Sequence, residues 1–315
     1  MLLVVQTALE LGFLYAPVAL ALFLSFRVLD IADLTTDGCF VLGAAVSVTL
    51  TAAGHPLLAV PAAMLAGACA GFITAFLQTR LSVPSILAGI VTNTGLYTIN
   101  LMAMGWRSNE SLLGSDTVFT LLRSIGLGGD WYELVLAAAV TLLCAGLLAL
   151  FLGTRLGLSI RATGDNEDMV KASSINPNLT IIVGLCVANA MTALGGCLLG
   201  EYQKSCDINM GTGMVTIALA SLIIGETLMG RGSIPVRIVG VIFGSCLYRV
   251  IVAIAMRFNL PASALKLVSA LIVPIAIASP TLRQLVGFQK LKWKRKAQYG
   301  GKTEKAAAGT EKEEK

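Results

Sequence analysis

Long apolar segments separated by short polar stretches recur along almost the whole chain. Most approach the length of about 20 residues that a helix needs to cross the hydrocarbon core of a bilayer. The pattern predicts nine transmembrane helices, at 3–26, 38–53, 57–79, 84–104, 133–153, 178–200, 213–229, 235–256 and 262–281. The second segment is short and follows a polar stretch at 30–37, so we expect a broken or re-entrant segment there, surrounded by protein or water. The fold class is therefore all-α and polytopic.

Composition supports a membrane protein and excludes several other classes. Of the 315 residues, 56% are hydrophobic and only 13% are charged. Soluble domains carry about 45–50% apolar and about 25% charged residues. Too few charges remain to cover a soluble surface, which excludes a soluble enzyme, a nucleic-acid-binding protein and a disordered scaffold.

The basic charge of the chain is concentrated at its carboxyl terminus. The net charge is +5, whereas residues 283–315 alone carry ten Lys or Arg and four Asp or Glu, which gives +6. Basic residues next to a membrane span favour the cytoplasm and anionic lipid. We therefore expect 283–315 to be a largely disordered cytoplasmic tail after a membrane domain at 1–282. Nine spans then place the amino terminus outside, with an external loop at 105–132 and a cytoplasmic loop at 154–177.

The chain lacks the usual signatures of catalysis. It has seven cysteines without a Cys-x-x-Cys pair, a single His55, and no Gly-rich phosphate-binding loop. Neither a metal site nor a nucleophile with a matching base is predicted, so we expect no catalytic residue and no cofactor. Uphill transport by such a chain would need a partner subunit or an ion gradient.

The loop at 154–177 contains the signal of a short amphipathic helix. Asp165 or Asn166 can cap it, the following acidic residues suit its first turn, and Lys171 lies near its end. Its small apolar patch has two alternative destinations: a groove in a partner protein or the membrane surface. The residues predicted to mediate contact with a partner are Arg161, Asp165, Asn166, Glu167, Asp168, Met169 and Lys171.

Polar side chains also occur inside the apolar segments. Asn93, Tyr97 and Asn100 are spaced i, i+4 and i+7, which places them on one helix face. Asn189 and Gln203 belong to the sixth segment or its end. Because unpaired polar groups in hydrocarbon are costly, these residues should face protein or water. They form either a translocation pathway or hydrogen bonds that hold helices together.

Other charged and small residues predict local contacts. We expect Asp33 and Asp37 to cap a half-helix that opens at Gly38. Glu226 is placed to neutralise Arg231 or Arg237, and Glu201 is placed to pair with Lys204 on one helix face. Small residues four apart predict close helix packing. These pairs are Gly67 and Gly71, Gly240 and Gly244, and Ala188 and Thr192.

Four stretches together resemble a known family. They are RATGDNEDMVKASSIN at 161–176, DLTTDGCFVLGAA at 33–45, LAGIVTNTGLYTIN at 87–100, and NMGTG at 209–213 followed by IGE at 224–226. They resemble permeases of ABC importers of the branched-chain amino acid and ribose type, and most resemble the subgroup of tryptophan and tyrosine importers. The likeness extends over about residues 5–280. Ser174 stands where glycine is expected, and Glu201 and Lys204 stand where Gln and a small residue are expected.

The resemblance implies a function and a set of partners. Such permeases pair as two copies in the plasma (inner) membrane, bind cytoplasmic ATPase subunits that hold the ATP, and receive solute from an external binding protein. It implies alternating-access import of a small organic solute, an amino acid with aromatic ones favoured, driven through 161–176. Two alternatives stay open: an ion-coupled secondary transporter with Glu201 or Asp207 as carrier, and a non-transporting scaffold or receptor.

Overall fold

A computed structural model describes residues 2–124, 131–230 and 232–257 of the chain. The predicted ninth span at 262–281, the tail at 283–315 and Arg231 lie outside these residues. The elements are α1 (Leu2–Leu22) with a π-helical segment (Phe23–Val28), α2 (Thr36–Ala52), α3 (Pro56–Arg80), α4 (Ser85–Ala103), β1 (Asn109–Ser111), α5 (Val118–Ser124), α6 (Tyr132–Gly153), α7 (Arg155–Asp165), α8 (Glu167–Ala172), α9 (Pro177–Gln203), β2 (Ser205–Asp207), α10 (Met214–Met229) and α11 (Ile234–Arg257).

A long apolar helix occupies each of the first eight segments predicted from the sequence. In the described residues, six helices are long and apolar enough to cross a bilayer: Val4–Val28, Pro56–Arg80, Ser85–Ala103, Tyr132–Gly153, Pro177–Gln203 and Ile234–Met256. Two shorter apolar helices are Thr36–Ala52 and Met214–Met229. A non-helical linker at 29–35 precedes α2, where the polar stretch predicted a break. The total of nine spans and the orientation of the termini stay predictions.

Helices α1, α2 and α9 form the centre of the bundle. The second half of α1 and most of α2 and α9 are buried. Backbone contacts between α2 and α9 are close because glycines leave room for them: Gly43 lies against the backbone of Ala193, and Gly196 lies against the carbonyl oxygen of Phe40. A Cβ at either glycine would overlap the neighbouring backbone, so these positions fix how closely the two helices approach.

The predicted small-residue pairs lie at two further helix crossings. Gly67 and Gly71 of α3 contact the backbone of α9, while Gly240 and Gly244 of α11 contact α10. Large apolar side chains such as Leu65 of α3, Leu87 of α4 and Leu150 of α6 remain exposed at the periphery. Exposed apolar side chains of this kind are what lipid-facing helices present.

A small antiparallel sheet connects two distant loops. Strand β1 pairs with β2, with Asn109 opposite Asp207 and Ser111 opposite Ser205. The all-α prediction omitted this sheet, because strands of three residues carry no readable alternation. The sheet holds the loop after α4 beside the end of α9.

Candidate functional site

A cleft of about 350 Å³, lined by both polar and apolar groups, lies between α2, α4 and the segment that precedes α10. Its lining includes three residues that the sequence placed on one helix face: Asn93, Tyr97 and Asn100. The other lining residues are Asp37, Gly38, Val41, Thr94, Ile208, Asn209, Gly211 and Thr212. The cleft therefore combines carboxamide, hydroxyl, carboxylate and aromatic groups at the junction of three elements.

The face of α4 that borders the cleft is graded from exposed to buried. The Tyr97 side chain is 51% exposed, whereas Asn100 is 1% exposed. Asn100 donates from Nδ2 to the carbonyl oxygen of Gly38 at 3.0 Å, and this bond holds α4 against α2. A side chain at Gly38 would overlap the Asn93 amide oxygen, so the Asn93 side chain would have to shift. Of this face, Tyr97 is exposed, Asn93 is partly buried and Asn100 is buried.

Helices α2 and α10 both begin beside the cleft. The Asp37 carboxylate accepts hydrogen bonds from the backbone N–H of Gly213 at 3.1 Å and of Val215 at 2.9 Å. A carboxylate at a helix start satisfies free N–H groups and is favoured by the helix dipole. The prediction that Asp37 caps its own helix was wrong: it caps α10. Helix α2 has 17 residues and α10 has 16, and these two hydrogen bonds hold their amino-terminal ends together beside the cleft.

Two predicted pathway residues lie elsewhere. Asn189 is buried on α9, where its Nδ2 donates to Asp33 Oδ2 at 2.7 Å and to the carbonyl oxygen of Leu185 at 3.1 Å. Gln203 is exposed at the end of α9. The structure thus brings together Asn93, Tyr97 and Asn100, and it separates them from Asn189 and Gln203.

Sequence reasoning missed cleft residues that come from the loop before α10. Asn209 and Thr212 line the cleft, and the Asn209 backbone N–H donates to Asp207 at 2.8 Å in a tight turn. The signal was present as the NMGTG motif, whose glycines indicate a turn. Nothing in the motif indicated that this turn meets α2 and α4.

The loop between α6 and α9 contains two helices. The prediction of a short helix capped near Asp165 or Asn166 is confirmed by α8, because Asn166 Oδ1 accepts from the backbone N–H of Met169 at 3.0 Å. Lys171 Nζ lies 2.9 Å from Glu167 and 3.6 Å from Asp168. The hydrogen bond to Glu167 raises the pKa of Lys171. Helix α7, which carries Arg161 and ends at Asp165, was not predicted as a separate helix.

The apolar residues of α8 differ in exposure. Met169 is 53% exposed, whereas Val170 is buried. Ser174, which follows α8, has φ 60°. This left-handed conformation favours glycine, which explains why glycine is expected there, and serine at this position is strained by about 1 kcal/mol. Met169 therefore presents the exposed apolar side chain of α8, and Leu158 of α7 is exposed to a similar extent.

The loop is attached to α1 and α9. Gly164 of α7 packs against the backbone of Val28 at the end of the π-helical segment, and the hydroxyls of Thr163 and Thr180 are 2.8 Å apart. Movement of α7 would therefore act directly on the ends of both central helices.

A charged cluster joins α1, α10 and α11. Glu226 Oε1 accepts from Arg237 Nη2 at 2.8 Å, which confirms one predicted pair, and from Arg27 Nε at 2.9 Å, which the sequence did not indicate. The three side chains are 15–32% exposed, so water screens this cluster in part.

The predicted pairing of Glu201 with Lys204 was wrong. The Glu201 carboxylate is buried and accepts from Ser47 at 2.8 Å, Thr51 at 3.3 Å and the backbone N–H of Val118 at 2.9 Å. Lys204 adopts a left-handed conformation at the end of α9. Glu201 therefore joins α2 and α5 to α9. Across residues 2–124, 131–230 and 232–257, no three His, Cys, Asp or Glu side chains are grouped as a metal site would require.

Comparison with known proteins identifies relatives over most of the chain. A family profile described as branched-chain amino acid transport system / permease component matches residues 4–277. A tyrosine transport system permease protein of Clostridioides difficile (strain R20291) is 33% identical over 265 residues, which cover 84% of this chain and 87% of that protein. The ribose import permease protein of Escherichia coli (strain K12) is 26% identical over 231 residues, which cover 68% and 65%. No solved structure matches.

Proposed function

Because this chain belongs to the family of branched-chain amino acid transport system permease components, we propose that it imports an amino acid by alternating access through the cleft between α2 and α4. The family places it in the inner membrane as a transport subunit that is not itself an enzyme, with ATP hydrolysis in a separate subunit. Relatives transport tyrosine or ribose according to their names, and the first of these supports a preference for aromatic amino acids.

The observation that carries the proposal is the grouping of Asn93, Tyr97 and Asn100 in one cleft with Asp37 and Thr212. Carboxamides and hydroxyls offer both donors and acceptors to a polar solute. The half-exposed Tyr97 ring supplies an apolar face against which an aromatic side chain can pack. Short helices that begin at such a cleft are a common feature of transport sites.

We propose that the ATPase subunit moves the permease by contacting α7 and α8. Exposed Met169 and the acidic first turn of α8 suit a groove in a cytoplasmic ATPase subunit, into which a short helix can insert. Because α7 packs on the π-helical segment that ends α1 and contacts the start of α9 through Thr163, a movement of the ATPase subunit that displaces α7 would also displace α1 and α9.

Further partners follow from the same family membership. We propose that two copies of the chain pair as a homodimer and that an external binding protein delivers the solute to the side of the loop at 105–132. The basic residues of 283–315 are proposed to contact anionic lipid.

The experiment is uptake of radiolabelled amino acids by membrane vesicles that contain the permease, its ATPase and its binding protein. Tyr97→Ala should reduce aromatic amino acid uptake at least several-fold while basal ATP hydrolysis stays at the wild-type rate. Ile99→Ala is the matched control, because Ile99 is a large exposed residue of the same helix outside the cleft. Wild-type uptake by the Tyr97 variant would refute the assignment of the cleft.

The coupling assignment needs a separate variant. Met169→Glu should remove solute-stimulated ATP hydrolysis and reduce recovery of the ATPase with the tagged permease, while the amount of permease in the membrane is unchanged. Solute accumulation driven only by an ion gradient, in vesicles without the ATPase, would contradict the proposed mechanism.

A further inference from the structure

A second group of buried polar side chains lies outside the cleft, where the 29–35 linker contacts α3 and α9. Asp33 is 3% exposed and Asn189 is 1% exposed, while Thr35 and Thr74 are fully buried. The hydroxyls of Thr35 and Thr74 are 2.9 Å apart. Neither Asp33 nor Asn189 lines the cleft.

The Asp33 carboxylate has few hydrogen-bond donors for a buried charge. Oδ1 accepts from the backbone N–H of Thr35 at 2.9 Å, and Oδ2 accepts from Asn189 Nδ2 at 2.7 Å. In the described part of the chain, no Lys or Arg nitrogen is paired with it within 4.0 Å. A buried carboxylate that stays charged is strongly unfavourable, so a bound cation or a proton is needed to neutralise it.

The adjacent Asn189 has an acceptor without a donor. Its Nδ2 uses both hydrogens, for Asp33 and for the carbonyl oxygen of Leu185, so reversing the amide would lose two hydrogen bonds. Asn189 Oδ1 is buried and has no hydrogen-bond partner among the described residues. This oxygen is bonded to the same carbon as Nδ2, and it therefore lies within a few ångströms of the Asp33 carboxylate.

A hydroxyl oxygen of the same group is also available. Thr74 donates to the carbonyl oxygen of Ala70 at 3.2 Å, so the shared hydrogen bond with Thr35 must use the Thr35 hydrogen. The Thr35 oxygen then keeps its lone pairs. A carboxylate, an amide oxygen and a hydroxyl oxygen are all ligands that hard cations prefer.

We propose that Asp33, Asn189 Oδ1 and Thr35 Oγ bind a monovalent alkali cation, Na⁺ or K⁺. A single carboxylate neutralises one positive charge, whereas a divalent ion would leave an excess charge in the apolar interior. A proton on Asp33 would also remove the charge and could donate to Asn189 Oδ1, but only a cation would engage the Thr35 oxygen as well. The cation links the linker to α9 immediately before α2, whose residues Asp37 and Gly38 line the cleft.

The test measures the thermal unfolding midpoint of the purified transporter, with permease and ATPase together, in NaCl, KCl or choline chloride at equal ionic strength and pH. We expect Na⁺ or K⁺ to raise the midpoint of the wild type in a saturable manner relative to choline. Asp33→Asn should remove this increase, because it deletes the charge with little change of shape. Asp30→Asn is the matched control: Asp30 belongs to the same linker but is exposed, so the increase should persist.

Several outcomes would overturn the cation site. The first is an equal unfolding midpoint of the wild type in all three salts, and the second is an undiminished increase of the midpoint by Na⁺ or K⁺ in Asp33→Asn. The third is a midpoint that changes with pH in choline but with neither cation, which would identify a bound proton. If Asp33→Asn does not fold, equilibrium binding of radioactive sodium or rubidium to the wild-type transporter tests the site instead. We expect one bound ion per permease chain, and the absence of bound ion would overturn the site. ATP-driven uptake in choline would leave the proposed function intact in every case.

Discussion

Replacement of Glu201 tests whether one buried carboxylate holds α2 and α5 on α9. In Glu201→Ala, the backbone N–H of Val118 loses a charged acceptor, which is worth about 1.5–3 kcal/mol. The hydroxyls of Ser47 and Thr51 lose interhelical bonds worth about 0.6 kcal/mol each, since they can bond within their own helix instead. The expected loss in the free energy of unfolding is about 3–4 kcal/mol.

Glu201→Gln separates this account from a simple loss of packing. The Gln amide oxygen can accept from Val118, and its NH₂ group can donate to the Ser47 hydroxyl oxygen, so the expected loss is only about 1 kcal/mol. Equilibrium unfolding in mixed detergent micelles, followed by helical circular dichroism, measures both. Glu110→Ala serves as control, because its pair with exposed Arg107 contributes at most about 1 kcal/mol. Equal losses for the Ala and Gln variants, or a loss below about 1 kcal/mol for Ala, would refute the reasoning.

Three further predictions concern a glycine at a helix crossing, a helix cap and a buried thiol. Gly196→Val should prevent stable folding, since the valine side chain would overlap the Phe40 backbone. Gly146→Val is the control and should be tolerated, because no atom lies within contact distance of a side chain at Gly146. The two variants are compared by the yield of detergent-solubilised protein and by its size-exclusion profile. Asn166→Ala should destabilise α8 by about 1 kcal/mol through loss of its cap, measured as faster amide hydrogen exchange in α8. Burial raises the pKa of the Cys206 thiol from 9.0 to about 12, so this thiol should resist maleimide at pH 8 until the protein unfolds. Because the folded state disfavours the thiolate, its contribution to stability should decline as pH rises from about 9 to about 12, which unfolding midpoints across that range will measure.

The sequence predicted the helices well and their polar contacts unevenly. Apolar length alone located every long helix among the described residues, because a bilayer demands continuous hydrophobic segments. The cap at Asn166 was also predictable, since capping depends on residues three positions apart. The face shared by Asn93, Tyr97 and Asn100 followed from helical periodicity.

Contacts between distant segments were not predictable in this way. Asp37 bonds the start of α10, and Glu201 bonds α2 and α5; both partners are far away in the sequence. Local rules assigned each carboxylate to the nearest helix end or the nearest lysine, because a single sequence gives no information on which helices are neighbours. Gln203 was grouped with the pathway for a similar reason: proximity along a helix does not determine which way its end faces.

The unequal attachment of the two cleft walls has a mechanical consequence. Helix α2 is fixed along its length by Asp37 at one end and by Ser47 and Thr51 towards the other. Side-chain hydrogen bonds tie α4 to α2 only near the last turns of α4, through Asn100 and through the carbonyl oxygen of Ala103, which accepts from Thr49. Within the described residues, no side-chain hydrogen bond joins positions 85–94 to another helix, and this half of α4 is held by packing alone, with Gly89 on Leu34 and Asn93 on Gly38. The cleft should therefore widen by movement of the 85–94 half of α4 about a hinge near Asn100, while α2 stays in place.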